Sequence, residues 1–147
     1  MTTENVVNNL ADHVAVRHVV DRYTDALNAD DWVTLESLFS DDAIWIVTTD
    51  GNVDYQCEGR HEIATGIKRL IDASDGSLVQ MNHATAIHVD GDRATARSTM
   101  EATHIMLDGG HRMLFALYCD DLVREHDGEW RFERREFRTK ASTEVTP

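Results

Sequence analysis

Between Leu78 and Lys140 the chain reads as four long β segments separated by three tight turns, and that punctuation leaves few folds open. The segments are LVQMNHATAIHV, RATARSTMEATHIML, HRMLFALYCDDLVRE and EWRFERREFRTK. The turns are Asp90-Gly91-Asp92, Asp108-Gly109-Gly110 and His126-Asp127-Gly128. Connections this short join antiparallel neighbours, because a parallel pair needs a crossover of a dozen or more residues. An antiparallel meander is therefore expected, followed by the tail ASTEVTP, which reads as disordered. Alternation along the first segment places Met81, His83, Thr85 and Ile87 on one face, and the apolar members mark that face as the inner one. In the second segment Met100, Ala102 and His104 oppose Thr99, Glu101, Thr103 and Ile105. Both sets mix apolar and polar residues, so the inner face stays open there.

The first half of the chain has a different period. Val16, Val19, Val20, Tyr23, Ala26 and Leu27 recur at steps of three and four, which is an apolar stripe on one helix, with Arg17, Asp21, Arg22 and Asp25 facing water. Asn28, Ala29 and Asp30 break the pattern. Asp31 then stands as the N-cap of a short second helix whose apolar face is Trp32, Leu35, Leu38 and Phe39. Ser40-Asp41-Asp42 ends it, and AIWIV is a first strand that pairs as a hairpin with VDYQCEG. A third helix runs through RHEIATGIKRLIDAS, with Ile63, Ile67, Leu70 and Ile71 on one side. Gly66 inside it costs about 1 kcal/mol of helix propensity relative to Ala.

Helices first and a meander afterwards give an α+β class. A long antiparallel sheet twists, and with its helices on one side it curls around them. The expected architecture is a cone-shaped α+β barrel or roll, three N-terminal helices packed on a curved, mainly antiparallel sheet. The 147 residues form a single domain, 1–147, with a core over about 10–140. A net charge of −13 argues against nucleic acid or an anionic membrane as partner. The basic cluster Arg131, Arg134, Arg135, Arg138 and Lys140 is interleaved with Glu129, Glu133 and Glu136. No apolar run reaches the length of a membrane span, the start lacks the features of a signal peptide, and Cys57 and Cys119 form no CxxC pair. A reduced, cytoplasmic protein is the expectation.

The order Tyr23-x-x-Ala26-Leu27-Asn28-x-x-Asp31-Trp32-x-x-Leu35-x-x-Leu38-Phe39-x-x-Asp42-Ala43-x-Trp45 resembles the opening of SnoaL-like proteins of the nuclear transport factor 2-like superfamily. Val89-Asp90-Gly91-Asp92-x-Ala94, Tyr118-x-Asp120-x-x-Val123 and Asp127-Gly128-x-Trp130-Arg131-Phe132-x-x-Arg135 are similar too. The resemblance implies a hydrophobic cone-shaped pocket, a homodimer or trimer formed through the outer sheet face, and cofactor-free acid/base chemistry. Dehydratases, isomerases, polyketide cyclases and non-enzymatic binders all use this fold, so the fold alone does not fix the function.

Within that frame His83 is the candidate general base, since an inward imidazole titrates near neutrality. Asn28 stands where dehydratase-like members place an Asp beside their His; an amide accepts no proton but bonds a substrate oxygen or His83. Asp31, one helical turn on, is the replacement carboxylate, although its capping role explains it alone. Tyr23 polarises a substrate oxygen. Trp45, Met81, Met100, His104 and Tyr118 are candidate wall residues. Arg135 matches a pocket arginine of the family's dehydrochlorinase, and in an apolar cone it needs an acid or an anionic substrate beside it. SnoaL-type cyclases place an Asp on the strand that runs here from Arg93 to Leu107, where this chain has none. No metal site, Gly-rich phosphate loop or Rossmann fingerprint is present, and no cofactor is expected. Three functions follow as expectations: a lyase or isomerase acting on a hydrophobic cyclic molecule, a non-catalytic small-molecule-binding or accessory protein, and a small (beta) subunit-like partner of a ring-hydroxylating dioxygenase.

Overall fold

The computed structural model describes residues 2–147. Helix α1 spans Thr3–Asn28, α2 Trp32–Ser37 and α3 Arg60–Asp72. Strands β1 (Phe39–Thr49) and β2 (Asn52–Glu58) lie between α2 and α3. The strands β3 (Ser77–Asp90), β4 (Arg93–Ile105), β5 (His111–Arg124) and β6 (Trp130–Val145) follow. All six strands form one sheet in the order β2-β1-β6-β5-β4-β3. The β3–β6 meander is antiparallel, as its turns require, and β6 then lies parallel to β1, which joins the two hairpin systems into one curved surface.

The helical stripe is the centre of the core. Val16, Val20 and Tyr23 are fully buried, and Val19, Ala26 and Leu27 nearly so. α1 lies against β3 and α3 against β1, both on the concave face. α1 stops where Asp30 takes a φ of 56°, an αL residue that ends the helical run. Asp31 then caps α2, its carboxylate accepting from the Thr34 backbone N–H at 3.0 Å. At the β1–β2 turn Asp50 and Gly51 both have positive φ, 51° and 80°, the two-residue conformation that matches the twist of a hairpin. Gly66 has a packing role: a Cβ there would meet Cys57 Sγ at 2.5 Å and the Tyr55 hydroxyl at 3.0 Å. Its missing side chain lets α3 close onto β2.

The open question on β4 is answered by burial. Ala94, Ala96, Met100 and Ala102 are buried, so their face is inner, and His104 follows them half-buried. Two expectations are corrected. The segment ASTEVTP is not a loose tail: β6 continues to Val145, and Ala141 and Val145 pair with Phe115 and His111. Backbone groups on a long β5 accept a partner strand whatever its side chains, so a polar, exposed sequence still extends the ladder. Strand β1 also starts four residues earlier than AIWIV, at Phe39, with an irregular register between Phe39 and Ile44.

Candidate functional site

A β-bulge decides which side chains of β3 enter the cone. Asn82 pairs with Met100 and Thr85 with Ser98, so His83 and Ala84 together oppose Thr99. Before the bulge the inward residues are Leu78, Gln80 and Asn82; after it they are Thr85, Ile87 and Val89. The alternation expected from the sequence therefore holds for Thr85 and Ile87 and fails for Met81 and His83. Met81 is exposed. His83 is 52% exposed and its Nε2 lies 3.5 Å from Glu101 on the outer face. Asn82, on the inner side, bonds Thr85, which bonds the buried Ser98.

Asn28 is likewise committed elsewhere. Its Nδ2 donates to the Gln80 carbonyl and its Oδ1 accepts from the Gln80 N–H, both at 2.8 Å. This pair of bonds clips the end of α1 to β3. A carboxylate at this position would accept from the N–H but oppose the carbonyl oxygen, so the amide fits and an Asp does not. Asp31 is exposed at the N-cap of α2, held below the usual carboxylate range by its hydrogen bonds to Thr34. The anticipated grouping of His83, Asn28 and Asp31 around one cavity does not form.

A different set converges. A cavity of about 150 Å³ lies between α1, α3 and the sheet. Its wall is apolar: Val47 on β1, Ile67, Leu70 and Ile71 on α3, Leu78 on β3 and Phe137 on β6. Trp45, Tyr23, Tyr118 and Gln80 complete the lining. Tyr118 Oη lies 3.4 Å from Tyr23 Oη and donates to Gln80 Oε1 at 3.3 Å, long bonds that a better acceptor would displace. Burial is the main cause that holds the Tyr23 phenol well above its usual value, with Tyr118 adding to it and Arg135 opposing. Tyr23 is therefore a protonated hydroxyl, a hydrogen-bond donor.

Behind the tyrosines sits a charged pair. Arg135 and Asp120 are both fully buried, with Nη1 donating to Oδ2 at 3.2 Å. The guanidinium carbon stands 3.6 Å from the Tyr118 ring centre, 4.1 Å from that of Tyr23 and 4.3 Å from that of Phe132. These are cation–π distances inside a dry core. Asp120 is the acid an inward Arg135 requires. Burial pushes the Asp120 carboxyl up to about 7, against the opposing pull of Arg135 and with a small contribution from Asp121. Asp120 Oδ1 and Arg135 Nε and Nη2 have no partner.

Of the sequence candidates, Tyr23, Trp45 and Tyr118 line the cavity, Arg135 supports it from behind, and Met100 is core. His104 shares the inner face of β4, but its Nε2 is buried without a partner and it is not part of the lining. Gln80 and Asp120 were missed. Asp120 was legible, because its parity with Tyr118 on β5 places it inward and Arg135 calls for an acid. Gln80 was hidden by the bulge. Of the other cations of the basic cluster, Arg131 pairs with Glu125 and Asp127, and Arg134 and Arg138 share Glu136. Among the described residues no cluster of three or more His, Cys, Asp or Glu could hold a metal ion, and no helix is long and apolar enough to cross a membrane. A wider depression of about 420 Å³ lies around Arg97, Cys119 and Arg134 on the outer face of the sheet.

A family model described as a SnoaL-like domain matches residues 8–136. Among curated protein sequences none matches the chain. Solved structures share its fold at low identity. A scytalone dehydratase-like protein of Novosphingobium aromaticivorans superposes with a TM-score of 0.80 at 24% identity, covering 97% of this chain and 93% of the other. The hexachlorocyclohexane dehydrochlorinase LinA, type 2, gives 0.84 at 15% identity, covering 95% and 93%. A Novosphingobium aromaticivorans protein assigned as the beta subunit of an aromatic-ring-hydroxylating dioxygenase gives 0.75 at 18%, covering 90% and 91%.

Proposed function

This chain belongs to the SnoaL-like family, and from the chemistry of its cavity we propose that it binds a small, hydrophobic, cyclic molecule in the cone. The observation that carries the reading is the lining itself. It is an apolar wall with one polar end, made of hydroxyl and amide groups, that orients a ligand oxygen. In this reading Tyr118 and Tyr23 contact that oxygen, Trp45 and Phe137 flank the ring, and Arg135 with Asp120 holds the tyrosines in place. Native mass spectrometry of the purified chain tests it. A bound small molecule is expected in the wild type and absent from Leu78→Trp, whose indole fills the cavity. Retention of the same ligand by Leu78→Trp, with the fold intact by circular dichroism, refutes the assignment.

A second reading, cofactor-free dehydration or isomerisation in the same cavity, is favoured by one observation. Asp120 exchanges its proton near neutrality directly behind Arg135, and the folds of a dehydratase-like protein and a dehydrochlorinase superpose on this one. Under this reading Asp120→Asn keeps ligand affinity and loses turnover. If Asp120→Asn turns substrate over at the wild-type rate, binding is the whole function of the site.

A further inference from the structure

Helix α1 carries two apolar stripes, and the core uses only one of them. At about 100° per residue, the buried set from Val16 to Leu27 runs along one side of the helix. Val7, Leu10 and Val14 run along the opposite side, and they are 58%, 64% and 62% exposed. Their steps of three and four continue through Arg17 and Asp21, the a/d spacing of a helix–helix seam. We infer that this outer side of α1 docks a second copy of the chain, whose own α1 lies antiparallel against it.

The first turns of α1 have nothing of their own chain to pack on. Asp12 is where the helix is tied to the sheet, its carboxylate accepting from Arg124 Nη1 at 2.6 Å and from Trp130 Nε1 at 3.4 Å. From Thr3 to Ala11 every described side chain is exposed. So short a stretch has little helix stability by itself, and its outer stripe gains burial only from another molecule.

Charge and symmetry select a second copy as that molecule. The two ends of the stripe differ in sign, with Glu4 in the first turn and Arg17 and His18 just beyond Val14. Glu4 and His18 have no partner among the described residues, while Arg17 pairs with Asp21 at 3.0 Å on the exposed surface. A two-fold axis near Ala11 and Asp12 sets Leu10 beside the partner subunit's Val14 and Ala11 beside the partner subunit's Ala11. It also brings Glu4 to the turn that holds the partner subunit's Arg17. Each contact then occurs twice, and the two helix dipoles oppose each other. A parallel pair would instead bring the two Glu4 carboxylates together. An anionic membrane is a poor occupant, because the chain carries a net charge of −13 and interfacial helices are rich in Lys and Arg. So few side chains make a small interface, which associates reversibly.

Sedimentation velocity of the full chain over about a hundredfold range of concentration tests this. The wild type is expected to pass from monomer to dimer as concentration rises. Leu10→Glu should weaken that association at least tenfold with an unchanged circular dichroism spectrum, since Leu10 is exposed in the single chain. Mild oxidation should cross-link Ala11→Cys into a dimer above the wild-type background from Cys57 and Cys119, and adding Leu10→Glu should suppress it. Glu4→Cys, far from its counterpart in an antiparallel pair, should stay at background. A wild type that is monomeric throughout overturns the inference. An assembly that Leu10→Glu leaves at full strength is made by another surface, such as the outer sheet face, and overturns it as well. Cross-linking of Glu4→Cys as fast as Ala11→Cys overturns the antiparallel arrangement.

Discussion

Asp120 offers the sharpest test of the core, because two large effects oppose each other there. The carboxylate would gain from Arg135, 3.2 Å away, but ionising inside a fully buried site removes its hydration. Burial wins, and the carboxyl titrates at about 7 rather than 3.8. Linkage turns that displacement into stability. The folded chain keeps a proton that the unfolded chain releases, so the contribution of Asp120 is fully present below pH 3.8 and is lost as pH rises through about 7. At 1.36 kcal/mol per pH unit the loss totals about 4 kcal/mol. Asp120→Asn cannot ionise and lacks this decline. Its stability relative to wild type should therefore rise by about 3 kcal/mol between pH 4.5 and 8.5, whatever fixed cost the amide introduces. Urea unfolding followed by tryptophan fluorescence at five pH values measures it. Groups common to both proteins cancel in the difference. Glu136, held down to about 2 first by Arg138 and then by Thr48 and Arg134, loses its contribution only as pH falls below 4.5, outside the window. A wild-type-minus-variant difference flat within about 1 kcal/mol, or a variant that weakens as pH rises, means that the ion pair outweighs burial and refutes the reasoning.

Three further outcomes are expected. Asn28→Asp should destabilise the chain by about 2 kcal/mol in urea unfolding, because one of its two bonds to Gln80 becomes an oxygen–oxygen contact; a stability equal to wild type would mean that the clip is not needed. Gly66→Ala should lose about 1 kcal/mol by thermal melting although Ala favours a helix, since the new Cβ collides with Cys57 Sγ, and adding Cys57→Ala should recover that loss. His83→Ala should leave both stability, within about 0.5 kcal/mol, and ligand affinity unchanged, as its exposed pair with Glu101 lies outside the cone; weakened binding in this variant would place the imidazole at the cavity after all.

The elements of the fold were legible because each announces itself by a local period. The steps of three and four from Val16 to Leu27 mark the helix face that is buried, and the Gly-containing turns at 91, 109 and 128 separate the strands that pair. The site was less legible, because the sense of a strand's alternation is a tertiary property. Period 2 is preserved on each side of His83, but one extra residue opposite Thr99 exchanges the faces. No residue type in QMNHATA marks that insertion. The partner strand's Ala94-x-Ala96-x-Ser98-x-Met100 run is uninterrupted, so only the two strands taken together reveal it.

The same displacement explains what the cone became. With the bulge in place, Gln80 points inward and its backbone is fixed by Asn28. Its Oε1 is then positioned to take the Tyr118 hydroxyl. Had β3 run without the bulge, continuing the inward set of Thr85, Ile87 and Val89, Met81 and His83 would line the cone and Gln80 would face solvent. A single inserted residue thus exchanges an imidazole for an amide in the lining and leaves Asp120 one layer behind the surface a ligand touches. The chemistry available to the cavity follows from that order: hydrogen bonds are given at the wall, and charge is held behind it.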